Sequence, residues 1–80
     1  MTHTILRLPA IKTSTGLSRS TIYLRIAQGV FTKPISLGGR AVGWPAGEVA
    51  ALNAARIAGK SDAEVRDLVV MLETARKTAK

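Results

Sequence analysis

The stretch TGLSRSTIYLRIAQG, residues 15–29, decides how the chain is read. It sets Ser18, Arg19, Ser20 and Thr21 in a row at the front of a segment whose apolar residues recur at helical spacing. At about 100° per residue, Ser18, Ile22 and Ile26 share one face, while Ser20, Leu24 and Ala27 point the opposite way. Arg19 and Tyr23 flank the apolar stripe on one side and Arg25 on the other. Ser18 is a natural N-cap and Gly29 ends the segment, so a helix is expected over residues 18–28. Upstream, Pro9 suits the first turn of a short helix through PAIKTST, with Ile11 its core residue and Gly16 its stop. Two short helices joined by Gly16, Leu17 and Ser18 outline a helix-turn-helix, with Leu17 returning to the core. Residues 4–8, TILRL, alternate loosely and read as a short strand or an anchoring arm.

Downstream, Ile35 and Leu37 alternate before Gly38-Gly39, and Val42 and Trp44 after it. A Gly-Gly pair between alternating apolar runs signals a two-residue hairpin, because both residues accept positive φ. In that register Leu37 faces Arg40 and Ile35 faces Val42, giving an apolar face and a basic tip. Pro34 suits an edge strand. Trp44 reads as a core plate joining the hairpin to a third helix that opens at Pro45, turns Val49 and Leu52 inward and stops at Gly59. Ser61 and Glu64 then form a capping box for a fourth helix. Its stripe is Val65, Leu68, Val69, Leu72 and Ala75, and Arg76, Lys77 and Lys80 suit its C-terminal end. Such a stripe must be covered, by the rest of the chain or by a second copy. The expected division is a helix-turn-helix domain with its hairpin over residues 1–60 and a C-terminal helix over 61–80, packing on that domain or oligomerising.

The 80 residues carry a net charge of +7. Over residues 1–47 the charged side chains are Arg7, Lys12, Arg19, Arg25, Lys33 and Arg40, with no acid at all. From Glu48 onward six basic residues face five acids. An acid-free basic half is the footprint of a polyanion binder. No cysteine is present, which excludes disulfides and thiolate metal sites and fits a reducing compartment. No apolar run approaches a membrane span and no signal-peptide pattern opens the chain, so a cytoplasmic, nucleoid-associated protein is expected.

Catalysis is not expected. The lone His3 forms neither a triad nor a metal site, and the carboxylates stand where caps and solvated helix faces are wanted. Gly38-Gly39 lacks the surroundings of a phosphate loop. No cofactor and no metal are therefore expected.

Capping accounts for Ser18 but not for Arg19, whose charge opposes the positive end of a helix dipole. An anion at that end reverses the sign. Arg19 is accordingly the candidate for gripping a guanine edge, with Ser20 and Thr21 as hydroxyl donors to phosphate or base. Tyr23 packs under the hairpin, reaches a phosphate, or does both. Arg25 and Lys33 steer toward phosphates, and Arg40 lies along the backbone or enters a minor groove.

Together, TGLSRSTIY (residues 15–23) and KPISLGGRAVGW (residues 33–44) resemble the AlpA family of prophage regulators, small relatives of the MerR-like winged-helix excisionases. The likeness covers roughly residues 5–58. It implies a fold that is mostly α with a small β-hairpin wing: a winged helix-turn-helix with a recognition helix in the major groove, here followed by a C-terminal amphipathic helix. Carried over, the DNA-facing residues are Ser18, Arg19, Ser20, Thr21 and Tyr23, with Lys33 and Arg40 in the wing. Relatives often carry a basic residue after the tyrosine; this chain has Leu24 there and Arg25 one step later. That step rotates the charge by about 100° and leaves Leu24 to meet a thymine methyl or a neighbouring subunit.

The function expected is that of a sequence-specific, double-stranded DNA-binding protein of a phage or mobile element. It would act as a transcriptional regulator or as an excisionase-type architectural factor, possible as a homo-oligomer on DNA. The rival is a protein-interaction adaptor that recruits integrase or RNA polymerase through the C-terminal helix. A basic protein reading RNA by shape is a third alternative.

Overall fold

The computed structural model describes residues 4–78, so His3 and Lys80 lie outside the described residues. The elements run β1 (Ile5–Leu6), α1 (Leu8–Thr15), α2 (Arg19–Ala27), β2 (Ile35–Gly38), β3 (Ala41–Pro45), α3 (Ala46–Ile57) and α4 (Asp62–Ala75), closed by a 3-10 turn, Arg76–Thr78. The architecture is mostly helical, with one three-stranded antiparallel sheet in the order β1-β3-β2.

The helix boundaries follow from their ends. Gly16 takes φ +72°, and its N–H closes α1 on the Lys12 carbonyl. Ser18 caps α2 by accepting the Thr21 N–H. Ser61 and Glu64 form the reciprocal capping box that opens α4. The hydrogen bonds from Ser61 hold the Glu64 carboxyl below its ordinary pKa, so this cap is intact at neutral pH and weakens as acid protonates it.

Of residues 4–8 only Ile5 and Leu6 form a strand, pairing with Pro45 and Trp44 so that β3 is central, while Leu8 already opens α1. The hairpin register differs from the one expected. Ile35 pairs with Gly43, Ser36 with Val42 and Gly38 with Ala41, so Leu37 is an extra, bulged residue on β2. Gly38 and Gly39 do take positive φ, but the turn lies at Gly39 and Arg40. Arg40 therefore occupies the turn itself and does not face Leu37. Gly43 leaves room on both of its sides: a Cβ there would stand 2.5 Å from Ile5 Cγ2 and 3.1 Å from the Leu6 carbonyl of β1, and 3.2 Å from Cδ1 of the bulged Leu37.

The core gathers Ile11, Ile22, Val30, Phe31, Trp44, Val49 and Leu52 from every layer. Val65 and Val69 of α4 are buried in the same cluster, with Leu68 and Leu72 packed against it. Ala75, the last residue of that stripe, is exposed. Glu48 departs from its expected place on a solvated helix face. It is buried in the first turn of α3, where both carboxylate oxygens accept from the Arg76 guanidinium at 2.6 and 2.7 Å. The partner is 28 residues away, so no local pattern marks the pair.

Two outcomes test this packing. Gly43→Ala should destabilise by about 1–3 kcal/mol through overpacking against β1. A calorimetric scan should then show Tm lowered by about 4–8 °C for each kcal/mol. Glu48→Gln should cost about 1–3 kcal/mol by leaving the half-buried guanidinium without its charge partner. An unchanged denaturation midpoint would show the pair to be idle.

Candidate nucleic-acid interface

The front of α2 carries its functional groups on a rigid base. Trp44 is wholly buried, and its indole N–H donates to the Thr32 carbonyl at 2.9 Å. Tyr23 meets the Trp44 ring edge-on with centroids 6.4 Å apart, and Phe31 meets it at the same separation. The tyrosine stays 37% exposed, and the Arg19 guanidinium lies 5.7 Å from its ring centroid, within cation–π range. Arg19 thus stands on Tyr23, which stands on the core.

Of the eight residues singled out from the sequence, Ser18, Arg19, Ser20 and Tyr23 line one shallow concavity. The Ser18 hydroxyl donates to Thr21 Oγ1 at 2.9 Å while accepting the Thr21 N–H at 3.3 Å, so the Ser18 proton is used within the cap and the Thr21 hydroxyl keeps its own. Ser20 is exposed, 3.3 Å from Ser18 through its hydroxyl. Thr21 is half-buried outside this concavity. Arg25 enters a separate groove between the C-terminal turns of α1 and α3, beside Asn53 and Arg56. Its Nε is buried and has no hydrogen-bond partner among the described residues. Lys33 is exposed just ahead of β2, and Arg40 is exposed in the hairpin turn. Leu24 is 56% exposed on α2.

The charges are segregated in space as they are in sequence. Among the described residues the ion pairs are Arg56–Asp62, Lys60–Glu64 and Arg76–Glu48. No carboxylate pairs with Arg7, Lys12, Arg19, Arg25, Lys33 or Arg40 among them. Neither does any group of His, Cys, Asp and Glu side chains among the described residues suit a metal ion. No helix there is long and apolar enough to cross a membrane.

Residues of α4 also belong to the account of this face, and sequence reading missed them. Arg66 Nε donates to the Gln28 carbonyl at 3.0 Å, and Glu73 accepts the Lys33 N–H at 2.8 Å. Arg76 Nη2 donates to the Lys33 carbonyl at 2.7 Å. Their targets are main-chain atoms, which carry no side-chain signature. The faint sequence trace is the seven-residue spacing of Arg66 and Glu73, which returns both to one helix face.

A family model described as Prophage CP4-57 regulatory protein (AlpA) matches residues 4–57, from the start of β1 to the end of α3. The uncharacterised protein ORF88 of Enterobacteria phage P4 is 51% identical over 55 residues, which are 69% of this chain and 62% of that protein. The chain thus spans less than two thirds of that relative's length. No solved structure matches. The chain belongs to the AlpA family of prophage regulatory proteins.

Proposed function

We propose that the chain is a sequence-specific duplex-DNA-binding regulator of winged helix-turn-helix form. In this reading α2 enters the major groove with its N-terminal turn foremost, and the β2–β3 hairpin lies as a wing along the flanking backbone. The observation that carries it is Arg19, an exposed cation at a helix N-terminus with no carboxylate partner among the described residues, positioned over Tyr23 and through it on Trp44. A cation there opposes the helix dipole, and an incoming phosphate or guanine edge removes the conflict. Because the ring limits where the guanidinium sits, less side-chain freedom is lost on binding.

Ser20 and Thr21 join Arg19 as hydroxyl donors, while Ser18 contributes chiefly by shaping the turn. Leu24, exposed on the same helix, suits a thymine methyl. Lys33 and Arg40 contact phosphates beside the wing, and Arg25, on the other flank of α2, steers approach through its charge. The protein would act as a phage transcriptional regulator or excisionase-type factor, with duplex DNA as partner. An adaptor role for α4 has less support, because its stripe is spent on the core through Val65 and Val69.

The test is selection from random duplexes, followed by a salt titration of the winner against a scrambled duplex. A recovered motif bound far tighter than scrambled DNA supports the reading. Binding that lacks a motif and vanishes with salt refutes it. Arg19→Ala should cost about 1–3 kcal/mol and relax discrimination at one base position. Arg40→Ala should instead weaken all duplexes alike and make the salt slope shallower by about one unit. An equal loss on every sequence for Arg19→Ala would reduce it to a phosphate contact.

A further inference from the structure

The segment joining α2 to β2 has no regular secondary structure, and it sets how the hairpin is aimed relative to α2. Its middle is held from inside, where Val30 and Phe31 are buried and the Thr32 carbonyl accepts the Trp44 indole. Its two ends are held from outside by α4 and the 3-10 turn that closes it. Arg66 grips the Gln28 carbonyl where α2 stops. Glu73 and Arg76 take the N–H and the carbonyl of Lys33, two residues before β2 begins. Arg66 and Glu73 lie about 10 Å apart along one face of α4, so the helix acts as a rigid spacer between the two ends. Two further contacts fix the spacer. The Arg66 stem lies against Gly29, whose φ of +79° turns the chain out of α2, and Arg76 is locked on Glu48.

We propose that α4 is a specificity element: by tying Gln28 and Lys33 it sets the separation and angle between the reading helix and the wing. Arg66, Glu73 and Arg76 are its positioning residues. The inference rests on the DNA-binding reading above and names which element governs that site's discrimination. All three residues lie beyond the segment that the family model matches, so the tie is additional to the matched unit. It acts through main-chain atoms and leaves every candidate DNA contact available. A wing held at one angle rejects duplexes whose flank is out of place. A wing free to swing accepts them, because it pays little to readjust.

The experiment compares the full chain with an Arg66→Ala/Glu73→Ala variant, which keeps the Arg76–Glu48 pair and the buried Val65 and Val69. Both are put through the random-duplex selection, and each is then titrated with the winning duplex carrying native or scrambled flanks. Both should recover the same central motif. The unaltered chain should reject scrambled flanks by about five-fold or more, and the variant by less than about two-fold. Glu73→Gln, whose amide carbonyl still accepts the Lys33 N–H, should keep the flank discrimination. Amide exchange at Lys33 should be slow in the unaltered chain and at least about ten-fold faster in Glu73→Ala, a readout that holds even where the double variant folds poorly. Equal flank discrimination in the unaltered chain and the variant overturns the proposal, as does rapid exchange at Lys33 in the unaltered chain. A selection in which the unaltered chain enriches no motif overturns the DNA-binding reading itself, and the two failures are told apart by that result.

Discussion

The hydrogen bond from the Trp44 indole to the Thr32 carbonyl is the constraint on which the other parts depend. It joins the central strand of the sheet to the segment that leaves α2, inside a core from which water is excluded. An indole N–H buried without an acceptor would cost far more than the bond's modest net gain, so the geometry is close to obligatory once Trp44 is buried. With the ring so placed, Tyr23 and Phe31 find its edges from opposite elements, and Arg19 finds the tyrosine. The candidate reading residues inherit their position from a core bond that touches none of them.

Charge is arranged around this core with a clear division of labour. Glu48, Asp62, Glu64 and Glu73 are engaged with Arg76, Arg56, Lys60 and the Lys33 N–H. These contacts join α3 and α4 to each other and to the segment before β2. The six cations of the first half have no carboxylate partner among the described residues, so their field is directed outward. Acid placed among them would win little stability at an exposed surface and would cancel the attraction a polyanion needs. The lopsided composition is therefore a spatial statement as much as a sequence one.

Local rules explain what was legible. Gly16, Ser18 and the Ser61–Glu64 box act over three or four residues, and the stripes of α2 and α4 repeat within a single helix; all of these were readable from the sequence. The Arg19–Tyr23 pair was readable as a spacing of four on one flank. The hairpin register was not: the bulge sets Leu37 beside Gly43, where Ile5 of β1, more than 30 residues away, also packs, and no local pattern marks that meeting. The burial of Glu48 and the reach of α4 to Gln28 and Lys33 escaped for the same reason. Each joins distant residues, and three of the contacts end on main chain, where every residue type looks alike.

A domain of this size has little core to spare, and α4 resolves that shortage in a way that links stability to the placement of the segment before the hairpin. Val65 and Val69 enlarge the interior from one face of the helix, while Arg66 and Glu73 hold the segment between α2 and the hairpin from its edge. The two tasks use adjacent side chains on the same rigid rod, so they cannot be separated by moving the helix. A shift that loosened the core packing would also re-aim the hairpin. Against this stiff frame, the arginine at the front of α2, with no carboxylate partner among the described residues, stands as a local conflict. Conflicts of that kind survive in an otherwise consistent sequence where something outside the chain resolves them, and a duplex backbone or guanine edge has the sign and geometry to do so.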